Sequence, residues 1–167
     1  MAAGNTYVAL ATSTLSSATA SVTFSSISSA YTDLVLVAST STTHTAATNL
    51  RYKFNGSTGS VYSGIFLTGD GSSAAGSSSG GTSTFGYLGT LTNSATEFGV
   101  VVCSINNYSN TTTYKTVLSR ANYASGMVSA VVGLAQTTSA VSSILIQFGA
   151  GDLRTGSTFT LYGIAAA

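Results

Sequence analysis

The run Leu50-Arg51-Tyr52-Lys53-Phe54 places an apolar side chain at every second position with cations between, and Asn55-Gly56 follows at once. Successive residues of a strand point to opposite faces, so this alternation predicts a strand with one buried face. Asn-Gly then predicts a tight turn. The same grammar runs through the chain. Strands are expected over Thr6–Leu10, Ser21–Ser25, Asp33–Thr40, Tyr62–Thr68, Phe85–Leu91, Glu97–Ile105, Tyr114–Arg120, Met127–Ala135, Ser143–Phe148 and Ser157–Ile164. Within Asp33–Thr40, the continuous run Leu34-Val35-Leu36-Val37 predicts a strand buried on both faces or at a sandwich centre. Turn clusters separate these segments, at Asn106–Asn110 and Gly149–Asp152 among others. The Gly/Ser/Ala stretch from Gly69 to Thr84 is expected as a long flexible loop or two short edge segments. No segment carries a capped helical stripe, although Ser139–Ser142 could form a short helix. About ten strands at this spacing predict an all-β antiparallel sandwich or barrel.

The chain has 167 residues, which suits one domain over 1–167 that can bury a core without staples. Residues 1–13 are expected as an extended N-terminal arm or a strand. Charged residues are 5% of the chain against about 25% in ordinary domains. Disorder calls for low hydrophobicity and high charge, and this chain is 44% hydrophobic. With a net charge of +1 it has no basic stripe to follow a phosphate backbone, so a nucleic-acid partner is not expected. A surface of neutral hydroxyls and amides favours association. The N-terminus lacks a basic and apolar leader, and no apolar run reaches membrane-spanning length. A soluble product of a cytoplasm, with no membrane partner, is therefore expected. Pro is absent throughout, which suits central strands but leaves the turns unexplained.

Candidate chemistry is sparse. The one histidine, His44, sits in Thr42-Thr43-His44-Thr45, a polar stretch that predicts a solvated side chain rather than a general base. The one cysteine, Cys103, ends the run Val100-Val101-Val102 and is expected as a buried, inert thiol. One His and one Cys cannot supply a four-ligand zinc site. The carboxylates are Asp33, Asp70, Glu97 and Asp152, each at a strand end or turn. A hydrolytic pair or a calcium site at Asp70 or Asp152 is conceivable chemistry, but a plain turn role is expected. Gly69-Asp70-Gly71-Ser72-Ser73-Ala74 matches a phosphate-binding glycine pattern without the helix that pattern requires. Three glycosylation-type triplets, at Asn55, Asn107 and Asn110, are expected by chance in a Ser/Thr-rich chain. Tyr7, Tyr31, Tyr62, Tyr87, Tyr108 and Tyr123 are candidates for stacking on sugars or filling an interface, with half-buried strand positions expected for most. No catalytic, cofactor-binding or metal-binding residue is assigned, and no cofactor is expected.

Four stretches carry a resemblance: SVTFSSISSAYTDLVLVAST (Ser21–Thr40), NLRYKFNGSTGSVYS (Asn49–Ser63), YSNTTTYKTVLSRANYA (Tyr108–Ala124) and SAVSSILIQFGAGDLRTGSTFTLYGI (Ser139–Ile164). In them the chain resembles small Ser/Thr/Gly-rich virion proteins of tailed bacteriophages, of the cyanophage and marine-phage type. The closing GSTFTLYGI is the most distinctive piece. The resemblance implies a sandwich of jelly-roll type, a place in the virion, and no catalytic residues to carry over. Such domains occur as head-decorating (cement) proteins and within tail or fibre proteins. Because the chain opens on Met1 and closes just past the last strand, it is expected as a complete product without a fibre shaft, which favours decoration. The partners implied are the major capsid protein, or tail components, and further copies of itself, expected as a homotrimer. The alternative is a tail or tail-fibre adhesin that binds host glycan in a Tyr-lined, Asn-rich groove. A polysaccharide depolymerase stands third, weakened by the shortage of His, Asp and Glu.

Overall fold

Each alternating segment is a strand in the computed structural model of the chain, which describes residues 6–79, 82–91, 97–123 and 126–165. The strands are β1 (Tyr7–Thr14), β2 (Ser21–Phe24), β3 (Asp33–Thr40), β4 (Thr48–Phe54), β5 (Tyr62–Gly69) and β6 (Ala74–Ser78). They continue as β7 (Gly86–Leu91), β8 (Gly99–Asn106), β9 (Lys115–Tyr123), β10 (Met127–Ala135), β11 (Ile144–Phe148) and β12 (Thr158–Ile164). All pairings are antiparallel and make two sheets, one of eight strands in the order β1-β12-β3-β8-β9-β10-β5-β6 and one of four in the order β2-β11-β4-β7.

The path between the sheets is that of a jelly roll. The chain alternates from large sheet to small through β1, β2, β3 and β4, and again through β7, β8, β11 and β12. The four strands β1-β12-β3-β8 face the four strands β2-β11-β4-β7, which is the doubled Greek key of that architecture. Two inserted hairpins, β5-β6 and β9-β10, then pair side by side and double the width of the large sheet.

The described strands number twelve rather than about ten. The difference includes β6, in the stretch expected as a flexible loop or short edge segments. Its residues Ala74, Ala75, Gly76, Ser77 and Ser78 have little strand preference, and the backbone ladder to β5 holds them at the sheet edge. No helix forms over Ser139–Ser142. The Asn55 side chain accepts from the backbone N–H of Ser142 (2.8 Å) and Ser143 (3.1 Å) and donates to the Ala140 carbonyl (2.8 Å), so these groups are not free for a helical turn. Asn55 and Gly56 both have positive φ, and the Ser57 N–H closes the turn onto the Phe54 carbonyl at 3.0 Å. β1 is not a free arm. It pairs with β12 along its length, and Leu10 packs against the core; Met1–Asn5 lie outside the described residues.

The core lies between the sheets. Leu34, Leu36, Val101, Cys103, Val117, Phe159 and Leu161 come from the large sheet; Leu50, Tyr52, Phe54, Leu88, Ile144, Ile146 and Phe148 come from the small one. Tyr52 is at its aromatic centre, 4.7 Å from the Phe54 ring and edge-on to Tyr62 at 5.5 Å. The close approach of β7 depends on Gly86, where a Cβ would stand 2.1 Å from the Tyr52 ring. The Tyr62 hydroxyl, buried beside it, accepts the Phe54 N–H at 2.8 Å.

Candidate binding surfaces

The titratable groups named from the sequence are dispersed. Asp33 opens β3 and accepts the Asn107 N–H at 2.6 Å. Asp70 closes the β5–β6 turn, its Oδ1 accepting the N–H of Ser72 (2.9 Å) and Ser73 (2.7 Å), bonds that lower its pKa. That turn runs into a strand, so the glycine pattern over Gly69–Ala74 has no helix N-terminus behind it. The Asp152 backbone pairs with Thr43 on the loop that carries half-buried His44. His44 Nδ1 lies 3.2 Å from the Ala46 carbonyl and 3.3 Å from its N–H, a local loop contact. Glu97 precedes β8. Among the described residues no group of three or more His, Cys, Asp or Glu gathers where a metal could sit. No helix among them is long and apolar enough to cross a membrane. Cys103 faces inward, 1% exposed, and burial pushes its thiol up to about 12.

The tyrosines divide sharply. Tyr62 and Tyr108 are buried, contrary to their candidacy as exposed residues. Tyr108 is held inside because its hydroxyl reaches the Ser28 carbonyl, which supplies the partner a buried phenol needs. Tyr31 and Tyr87 are half-buried and Tyr7 is exposed; the Tyr123 side chain is outside the described residues. Tyr114, not singled out in the sequence, is exposed.

Two outer faces remain, and they differ. On the small sheet, Arg51 and Lys53 of β4 point outward over aromatic rings. The Arg51 guanidinium is 5.5 Å from the centroids of both Phe85 and Tyr87, and the Lys53 ammonium is 4.2 Å from that of Phe85. Beside them, between β6 and β7, runs an open groove of about 270 Å³ lined by Asn49, Thr68, Ser77, Ser79, Tyr87 and Thr90. Thr90 donates to Asn49 Oδ1 at 2.7 Å, and Phe66 braces the Tyr87 ring from below at 5.2 Å. The Ser79 hydroxyl is buried there without a protein hydrogen-bond partner. Hydroxyls, an amide and a braced ring are groups that can bind a neutral sugar.

The outer face of the large sheet is apolar over its β5, β10, β9 and β8 part. Ile65 and Leu67 of β5, Leu118 of β9, and Val128 and Val132 of β10 stand exposed on it, with Val100 of β8 beyond. The register sets Ile65, Val132 and Leu118 side by side across three strands. Sequence reasoning missed this face because apolar residues in strands were assigned to the core. The available signal was apolar character at both parities, as in Val100-Val101-Val102 and Val131-Val132.

No protein-family model matches the chain, and no curated protein matches it at a significant level.

Proposed function

We propose that this chain is a structural protein of a tailed-bacteriophage virion, most specifically a capsid decoration protein that binds and stabilises the head lattice. The observation that carries the reading is a charge-poor jelly roll whose wide sheet leaves a broad apolar face in solvent. An apolar face of that extent is characteristic of interaction surfaces, protein–protein contacts among them. The partners in this reading are the major capsid protein and other copies of the chain, and no catalytic role, cofactor or nucleic acid enters it. The resemblance of Ser21–Thr40, Asn49–Ser63, Tyr108–Ala124 and Ser139–Ile164 to phage virion proteins supports the same reading. Quantitative mass spectrometry of purified particles tests it. A ratio near one copy per capsid subunit is expected, and absence from the particle would end the reading.

The groove between β6 and β7 favours a second reading, a tail or fibre adhesin for host glycan. That reading expects a few copies per particle and retention of the protein on host polysaccharide. It also expects retention to be lost in a Tyr87→Ala, Asn49→Ala double variant.

A further inference from the structure

We infer that the outer face of the eight-stranded sheet is a self-association interface, packed in the working protein against the same face of a second copy. The inference deepens the assembly reading above and rests on it.

Six aliphatic residues, Ile65, Leu67, Val100, Leu118, Val128 and Val132, are each between 45 and 59% exposed on this face. A side chain of this size carries on the order of 100 Å² of apolar surface, so the six expose roughly 330 Å². Half-buried Val102, Ala130 and Leu134 lie among them, and exposed Tyr7 stands at the far edge. Together they supply the apolar centre of a contact of ~800 Å² per partner, with the neighbouring Thr116, Asn122 and Ser104 positions as its polar rim. The six alone fall in the range of the largest apolar patch of an ordinary monomer, about 300–600 Å², a patch that is often functional.

Three features select a second copy as the occupant. The first is shape. A sheet face of alternating side chains packs best on another such face at about 10 Å, and the apolar part of this face runs across four adjacent strands, β8, β9, β10 and β5. The second is charge. Arg120, between Ala130 and Val102 in the register, is the charge in the middle of the face, so no pattern of charge there calls for an oppositely charged partner. At a net charge of +1 two copies repel little as wholes, and the pairing requires an offset that keeps the two Arg120 guanidinium groups apart. The third is the contrast with the small sheet, whose outer face is already covered by Arg51 and Lys53 lying over Phe85 and Tyr87. One patch meeting itself is an isologous contact and produces a two-fold pair. A three-fold ring would join two different patches at each interface, so the geometry favours a dimer over the trimer expected from the resemblance.

Light scattering on the purified full chain at about 100 μM tests the inference, a concentration above the micromolar-to-picomolar range over which standard interfaces dissociate. The wild-type protein is expected at twice the 16.7 kDa chain mass. A Leu118→Lys, Val132→Lys double variant is expected at the single-chain mass with an unchanged strand circular-dichroism spectrum, because both side chains are exposed in the free subunit. Lys53→Glu, on the other sheet, is expected to leave the dimer intact. A monomeric wild type, a mass of three chains, or a dimer that survives the double substitution would each overturn the pairing. Copy number in the particle is read separately, so an abundant virion protein that is monomeric would remove the pairing alone. A dimer absent from particles would remove the virion reading alone.

Discussion

Val131 and Val132 are chain neighbours on β10, as Val100 and Val101 are on β8, yet the sheet sends the members of each pair to different environments. Val101 and Val131 are 0 and 1% exposed, Val100 and Val132 are 45 and 53% exposed. The inner face is a fitted core, in which Gly86 lies against Tyr52 and Tyr62 accepts the Phe54 N–H. The outer face carries apolar residues over β5, β8, β9 and β10, with Arg120 and Asn122 among them, and has nothing packed on it. Apolar sequence therefore reports that a face is to be covered, and only the topology shows whether the cover comes from the same chain.

The contrast breaks if inner and outer substitutions cost alike. The largest effect is expected at Gly86. A Gly86→Val change drives a branched side chain into the Tyr52 ring, and urea unfolding should show a loss of about 3 kcal/mol or more, or no folded protein. Retained stability would mean the two sheets are less tightly fitted than described.

Next comes Lys115, buried at the end of the inner face of β9, where its ammonium donates to the carbonyls of Asn110 (2.5 Å) and Thr113 (2.8 Å), with Thr138 at 3.5 Å. Burial lowers its pKa. Lys115→Ala leaves those carbonyls without their donor and should cost about 2–3 kcal/mol in the same experiment. A neutral result would show that the loops following β8 and β10 do not depend on this tie.

The neighbouring valines give the direct comparison. Val131→Ala should cost about 2 kcal/mol, through lost burial and a residual cavity. Val132→Ala should change unfolding of the free subunit by no more than about 0.5 kcal/mol, as for an ordinary surface site. Equal losses would mean that β10 is buried on both faces within one subunit.

The smallest effect concerns Cys103. With its thiol pushed up to about 12 inside the sandwich, a thiol reagent at pH 8 should label it only after denaturation. Rapid labelling of the native protein would place β8 the other way round.

Much of the fold was legible before the coordinates. Leu50, Tyr52 and Phe54 are buried and Arg51 and Lys53 face outward, as their alternation requires. Asn55-Gly56 makes the expected turn because Asn and Gly tolerate positive φ. The central place of Leu34–Val37 also followed from its unbroken apolar run, with β3 lying between β12 and β8. β6 was less legible because small residues there are held by ladder bonds rather than by side-chain preference. The environments of Tyr62 and Tyr108 were hidden because each depends on a hydrogen bond to another segment of the chain, Tyr62 to Phe54 and Tyr108 to Ser28. The candidate surfaces were the least legible part, since Ile65, Leu118 and Val132 meet only through pairings among three strands.

In the proposed assembly the outer face of the large sheet is covered. Carbene footprinting of Leu118 and Val132, in the free subunit and in intact particles, tests it most directly. Strong labelling of both residues is expected at high dilution and at least several-fold protection in particles, with the buried neighbour Val131 dark in both. Equal labelling of Leu118 and Val132 in the two states would contradict it.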